Sequence, residues 1–126
     1  LKAGEIILDI RIPLAPSKTG TSYQKFPHPA SRFAVCGCAA SVSMKGGKCV
    51  EARVGFTGIA NAAFRDSSIE AALVGKALDE AAVTAACEGA AAHAELLSDS
   101  FAGETYRRHL AKLFAARAIL AAAEAA

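Results

Sequence analysis

The sequence predicts an α+β domain: an antiparallel sheet of three to four strands followed by three helices packed on one face. Three observations lead there. Apolar residues alternate through residues 33–57, and a Gly-Gly turn sits inside that stretch. From residue 67 onward the apolar period lengthens to that of a helix. At 126 residues the chain fits one domain, and folding buries roughly two thirds of the surface that the unfolded chain exposes. We therefore read 1–126 as a single unit, with a connecting strand and loop over 1–20, the sheet over 21–57 and the helices over 66–124.

The first element is read over residues 5–12. Ile6, Leu8, Ile10 and Ile12 fall on one side, with Glu5, Asp9 and Arg11 on the other, the pattern of a half-buried strand. Pro13 and Pro16 stop it, and "APSKTGTS" reads as a flexible surface loop. Residues 23–26 extend again. Pro27 and Pro29 then remove two backbone donors and bias Phe26 and His28 away from helix, which makes a corner. From Phe33 a strand presents Ala34, Cys36, Cys38, Ala40, Val42 and Met44 on one small apolar face. "KGGK" turns it, because both glycines accept positive φ without steric cost. The return strand puts Val50, Ala52, Val54 and Phe56 inward and Glu51, Arg53 and Thr57 outward.

Ser67 with Glu70 forms a capping box for a short helix that Gly75 closes. A second helix is predicted over 79–97, with Val83, Cys87, Ala90, Ala94 and Leu97 along one stripe. A third starts near Glu104, turns Tyr106, Leu110, Leu113 and Phe114 inward, and frays through "AAAEAA".

Composition narrows the function. Hydrophobic residues make up 53% of the chain, but much of that is alanine and there is no Trp. Elements of this kind pack closely and leave little bulk for a deep pocket, so a scaffold is expected more readily than a self-contained enzyme. The net charge of +2, from 14 basic and 12 acidic residues, gives no general affinity for nucleic acid or anionic membrane. No apolar run approaches the roughly 18 residues of a membrane span, and no secretory signal is visible. The chain opens on Leu1 rather than Met, so a processed or excised piece of something longer is expected. Cys36 and Cys38 share a strand face, while Cys49, Cys87, His28, His93 and His109 are scattered without zinc-site spacing. The cysteines read as small reduced hydrophobes, the metal ligands as none and the compartment as cytoplasmic.

No nucleophile-base pairing or phosphate loop is legible, so no catalytic residue is assigned: "MKGGK" lacks the spaced first glycine and the Ser or Thr after lysine. The run "YRRHLAK" places Arg107, Arg108, His109 and Lys112 early in the third helix, where the helix dipole favours anions. It reads as a solvated face, as a contact for an acidic partner, or as a phosphate contact. Lys25 and Tyr23 project from one strand face just before the proline corner. Lys25 reads either as an ordinary surface lysine or as one held by a rigid turn so that it reaches a ligand.

Taken together, "GEIILDIRIP", "YQKFPHPASRFAVCGCAA", "ARVGFTGIANAAFR", "EAALVGKALDEA" and "YRRHLAKLFAARAIL" resemble, in order and spacing, one family. It is the C-terminal domain of the FAD-binding medium subunit of molybdenum hydroxylases, the carbon monoxide dehydrogenase and xanthine dehydrogenase group. The resemblance implies a domain that is not catalytic by itself. It would close one side of a flavin site in an oxidoreductase where iron–sulfur clusters pass electrons to FAD. It implies three partners: an upstream FAD-binding domain, a molybdenum-cofactor large subunit and an iron–sulfur small subunit. The lysine of the family's Tyr-x-Lys pattern maps to Lys25, which becomes the one cofactor-binding candidate. Most of the FAD would be held upstream, so tight binding to this chain alone is not expected. Some relatives carry an acidic residue where Arg32 stands, which leaves the subgroup open. A free-standing interaction or dimerisation module is the competing reading.

Overall fold

The structure, a computed structural model, describes residues 2–12, 14 and 16–126. Four strands form one antiparallel sheet in sequence order: β1 (Thr19–Pro27), β2 (Ala34–Lys45), β3 (Lys48–Thr57) and the two-residue β4 (Phe64–Arg65). Three helices follow, α1 (Ser67–Leu73), α2 (Glu80–Cys87) and α3 (Glu104–Glu124), and all pack on one side. The α+β class, the strand count and the helix count agree with the sequence reading.

The hairpin between β2 and β3 forms as its glycines require. Gly46 and Gly47 have φ of 58° and 76°, and Lys45 faces Lys48 across the turn. Cys36, Cys38, Ala40 and Val42 are buried from β2, with Ala52, Val54 and Phe56 from β3. Val50 departs from the expected alternation. The register shifts after Ser43, so Met44 pairs with Cys49 and Glu51 with Ser43. That bulge turns Cys49 inward at 0% exposure and leaves Val50 outward at 51%.

The expected strand over 5–12 is corrected. Among the described residues this segment pairs with no strand, and Ile6, Leu8, Ile10 and Ile12 lie in solvent. Alternation specifies which face must be buried but not what buries it. Pro13, assigned as the stop of that strand, lies outside the described residues. β1 begins at Thr19, which shortens the expected loop, and the proline corner forms as predicted. There Arg32 N–H donates to the His28 carbonyl at 2.9 Å and His28 N–H to the Phe33 carbonyl at 2.7 Å.

The helix ends differ in instructive ways. Asp66, not Ser67, caps α1, accepting from Ile69 N–H. Glu70 does not complete a capping box. It accepts instead from Val54 N–H and from Nε and Nη2 of Arg65, stitching α1 to β3 and β4. Asp79 caps α2, which ends at Cys87 rather than near 97. In the turns that follow, the second Asp66 oxygen accepts from Ala91 N–H at 2.8 Å, and Ala91 takes φ of 57°, so no helix resumes there. α3 does not fray early. It stays helical to Glu124, with Ala122 fully buried beside Gly20 of β1. Its inward stripe runs through Arg107, Leu110, Phe114, Ala118, Ile119 and Ala122. Tyr106 and Leu113, expected inside, flank that stripe at 44% and 37% exposure.

Candidate functional site

Helices cover one side of the sheet and leave the other open. Registers place the open side in rows across the strands. Lys25 pairs with Gly37 and Gly37 with Thr57, while Tyr23 pairs with Ala39, Ala39 with Gly55 and Gly55 with Arg65. The middle of this face therefore carries Gly37, Ala39 and Gly55, which keep it flat, with larger side chains at its margins. A Cβ at Gly37 would collide with the Tyr23 hydroxyl and the Thr57 methyl, so the tyrosine lies across a position that only glycine leaves free. Two shallow recesses of about 480 and 390 Å³ share Tyr23, Ala39, Gly55 and Arg65 in their walls.

The cations on this face differ in their partners. Arg53 pairs with Glu51 at 2.7 Å, and Arg65 pairs with Glu70 at 2.7 Å. Lys25 has no carboxylate partner among the described residues. Its Nζ donates to the Arg32 carbonyl at 3.2 Å, which ties the lysine across the proline corner. Arg32 sits in the left-handed region at φ of 63° and is exposed. The ammonium thus stands at the rim of a flat, largely apolar face with its charge uncompensated. Such a surface can hold a planar group and favour negative charge on it.

The other sequence candidates are dispersed. Arg107, expected on a solvated or partner-facing surface, is buried at 4% exposure. Its guanidinium donates to the carbonyls of Val35, Gly58 and Ala102 and to Asp99. It is a structural tie between α3 and the ends of β2 and β3. Arg108 donates to the Ala91 carbonyl and to Glu104, and Lys112 pairs with Glu88. The basic run is thus largely consumed within the fold.

All four cysteines are buried free thiols. Burial pushes Cys36 and Cys87 up to about 12, against a small opposing pull from Arg107 on Cys36, so they are held as neutral thiols. No group of three or more His, Cys, Asp or Glu placed to hold a metal occurs among the described residues. A further recess of about 410 Å³ adjoins the shallow recesses of the open face at Phe64 and Arg65, where Asn61, His93 and Glu95 meet the start of α1. His28 packs against Phe101 with ring centroids 4.5 Å apart and the rings tilted by 55°.

Sequence reading found Lys25 and Tyr23 but not the face they border. Its signal was present, as Gly37, Ala39 and Gly55 at outward positions where a solvated sheet would carry polar side chains.

The fold and this face define an α+β domain with one flat, open sheet face bordered by Tyr23 and Lys25. The chain belongs to the CO dehydrogenase flavoprotein C-terminal domain family, which matches residues 21–122. It is 34% identical over 119 residues to the carbon monoxide dehydrogenase medium chain of Afipia carboxidovorans, covering 94% of this chain and 41% of that one. The Hydrogenophaga pseudoflava medium chain is 30% identical, covering 97% and 42% respectively. Among solved structures, reconstituted CO dehydrogenase from Oligotropha carboxidovorans superimposes with a TM-score of 0.83 at 33% identity, over 91% of this chain and 40% of that one. Quinoline 2-oxidoreductase from Pseudomonas putida 86 gives a TM-score of 0.79 at 31% identity, over 86% and 38%. The chain spans about two fifths of the length of the curated relatives it matches.

Proposed function

We propose that this domain forms the C-terminal wall of the flavin site in the FAD-binding subunit of a molybdenum-containing hydroxylase or dehydrogenase. The observation that carries the reading is the flat face of Gly37, Ala39 and Gly55 bordered by Tyr23 and by Lys25, in a chain of this family. The residues fit such a group in part. A broad apolar surface accepts a ring system, whereas the chain holds no glycine-rich phosphate loop, so the rest of the cofactor belongs to an upstream domain.

Bound FAD would supply the electron acceptor that iron–sulfur clusters reduce. In this chain, Lys25 holds a positive charge at the rim of the face, which favours added electron density on a nearby ring. The proline corner and the contact with the Arg32 carbonyl fix where that charge stands. Gly37 keeps the Tyr23 ring lying flat across the sheet. Partners on this reading are the molybdenum-cofactor large subunit and the iron–sulfur small subunit. The molybdenum part of this reading is supported by a related carbon monoxide dehydrogenase, from Hydrogenophaga pseudoflava, whose solved form lacks the Mo-pyranopterin moiety of its molybdenum cofactor.

The test is Lys25→Ala in the complete enzyme, with Lys25→Arg as the charge-preserving control. The flavin midpoint potential should fall and its reduction should slow with alanine and recover with arginine. Thermal stability should change little, because an exposed substitution shifts stability by about 0.5 kcal/mol or less. An unchanged potential and unchanged reduction kinetics would remove Lys25 from the flavin site.

A further inference from the structure

Residues 5–12 carry the most exposed run of large aliphatic side chains in the structure. Ile6, Leu8, Ile10 and Ile12 are 78%, 87%, 80% and 85% exposed and occupy alternate positions. Glu5, Asp9 and Arg11 take the other side, where Arg11 Nε donates to the Asp9 carboxylate at 2.9 Å. A contact between residues two apart belongs to extended chain, in which alternate side chains share a face. The segment thus has one apolar and one mainly charged face. A strand of that kind needs a neighbouring strand to satisfy its backbone and a second layer to cover its apolar face.

The direction in which this arm leaves is also defined. Ile12 and Leu14 line a recess with Ser41, Ser43 and Arg53, residues of the open side of the sheet. The arm therefore departs across the face that Tyr23 and Lys25 border, the side opposite the helices. The family is a C-terminal domain, and the chain covers 41% of the Afipia medium chain, so the larger part of such a subunit precedes it.

We propose that residues 5–12 form a strand of a sheet outside this chain, paired with the edge of a sheet in the part of the polypeptide that precedes the domain. This rests on the reading of the chain as the C-terminal part of a longer flavoprotein subunit. Its apolar face, Ile6 to Ile12, lies against that partner's core, and Asp9 and Arg11 face water. Residues 13–18 can span at most roughly 20 Å. The strand therefore acts as a short tether that holds the open face close to the domain it must cover.

The test uses the complete polypeptide. In hydrogen–deuterium exchange, every second amide of residues 6–12 should exchange at least 100-fold more slowly than in an unstructured peptide. Leu8→Lys should release them, whereas Arg11→Glu on the charged face should not. A photoreactive phenylalanine analogue in place of Ile10, or of Ile6 should that variant fail to fold, then identifies the neighbour by mass spectrometry. Crosslinking to a peptide that precedes residue 5 supports the proposal. Crosslinking to β1, crosslinking to a second copy, or fast exchange overturns it. Fast exchange in a polypeptide that retains its flavin overturns the strand pairing alone. A flavin-free polypeptide whose arm still crosslinks to the preceding region keeps the pairing and removes the flavin role.

Discussion

At the scale of single residues, Arg107 shows how a charge can be structural. Its side chain is 5% exposed and pairs with Asp99 at 2.6 Å. The same guanidinium also serves three backbone carbonyls that close the ends of strands and loops. Removing the side chain strips those carbonyls of their donors inside the protein, where lost hydrogen bonds cost most. Arg107→Ala should therefore lower unfolding free energy by about 3 kcal/mol, as expected when buried carbonyls lose a charged donor. Chemical denaturation of the variant measures it, and a loss under about 1 kcal/mol would refute the structural role. Nothing in "YRRHLAK" distinguishes Arg107 from Arg108, because the sequence specifies spacing along a helix and not the depth of each position in the fold. Lys25 was legible for the opposite reason. It sits beside a corner that local proline chemistry dictates, so its exposure and its direction follow from a few neighbouring residues.

Among the elements, those governed by local chemistry were legible and those governed by distant contacts were not. The hairpin of β2 and β3 needs only Gly46 and Gly47 and alternating strands. The end of α2 is different: the turns that follow Cys87 are held by Asp66, more than twenty residues earlier, whose carboxylate accepts from Ala91 N–H. Periodicity alone runs that helix on through Ala94 and Leu97. The bulge at Val50 is likewise invisible to alternation, since one added residue exchanges the faces of everything on one side of it. The alanine-rich end of α3 was read as frayed because alanine offers no specific contact. Yet it is anchored by the absence of a side chain on β1: at Gly20 a Cβ would collide with the Ala122 carbonyl and the last residues of the chain. Gly20→Val should push the end of α3 off the sheet and cost about 1–3 kcal/mol, as overpacking does. Faster amide exchange confined to the last turns of α3 is the expected signature. An unchanged exchange pattern would mean that the contact does not hold the helix.

For the whole molecule, the titratable groups that tie elements together set a pH range of stability. Burial works to raise the Asp66 carboxyl, but hydrogen bonds from Ser68, Ala91 N–H and Ile69 N–H outweigh it and hold the pKa below the ordinary value. Glu70 follows the same pattern, with burial opposed by Arg65 and by Val54 N–H. Asp99 is lowered chiefly by the backbone N–H groups of Ala102 and Phe101, with Arg107 adding to them. A carboxyl that is more acidic in the folded state stabilises the fold above its unfolded pKa of about 4. That contribution is lost as pH falls through the folded value. The buried thiols act at the other end. Burial raises Cys36 and Cys87 to about 12, so their neutral forms favour folding below the unfolded thiol value of about 8.5. That contribution disappears as pH rises toward 12. Urea midpoints should therefore be level from about pH 5 to pH 8 and decline on both sides. Asp66→Asn should flatten part of the acid decline, and Cys36→Ala part of the alkaline one. Were each variant to keep the parent's slope on its own side, these groups would not be the source of the pH dependence, and the link from Asp66 to Ala91 would be weaker than its geometry implies.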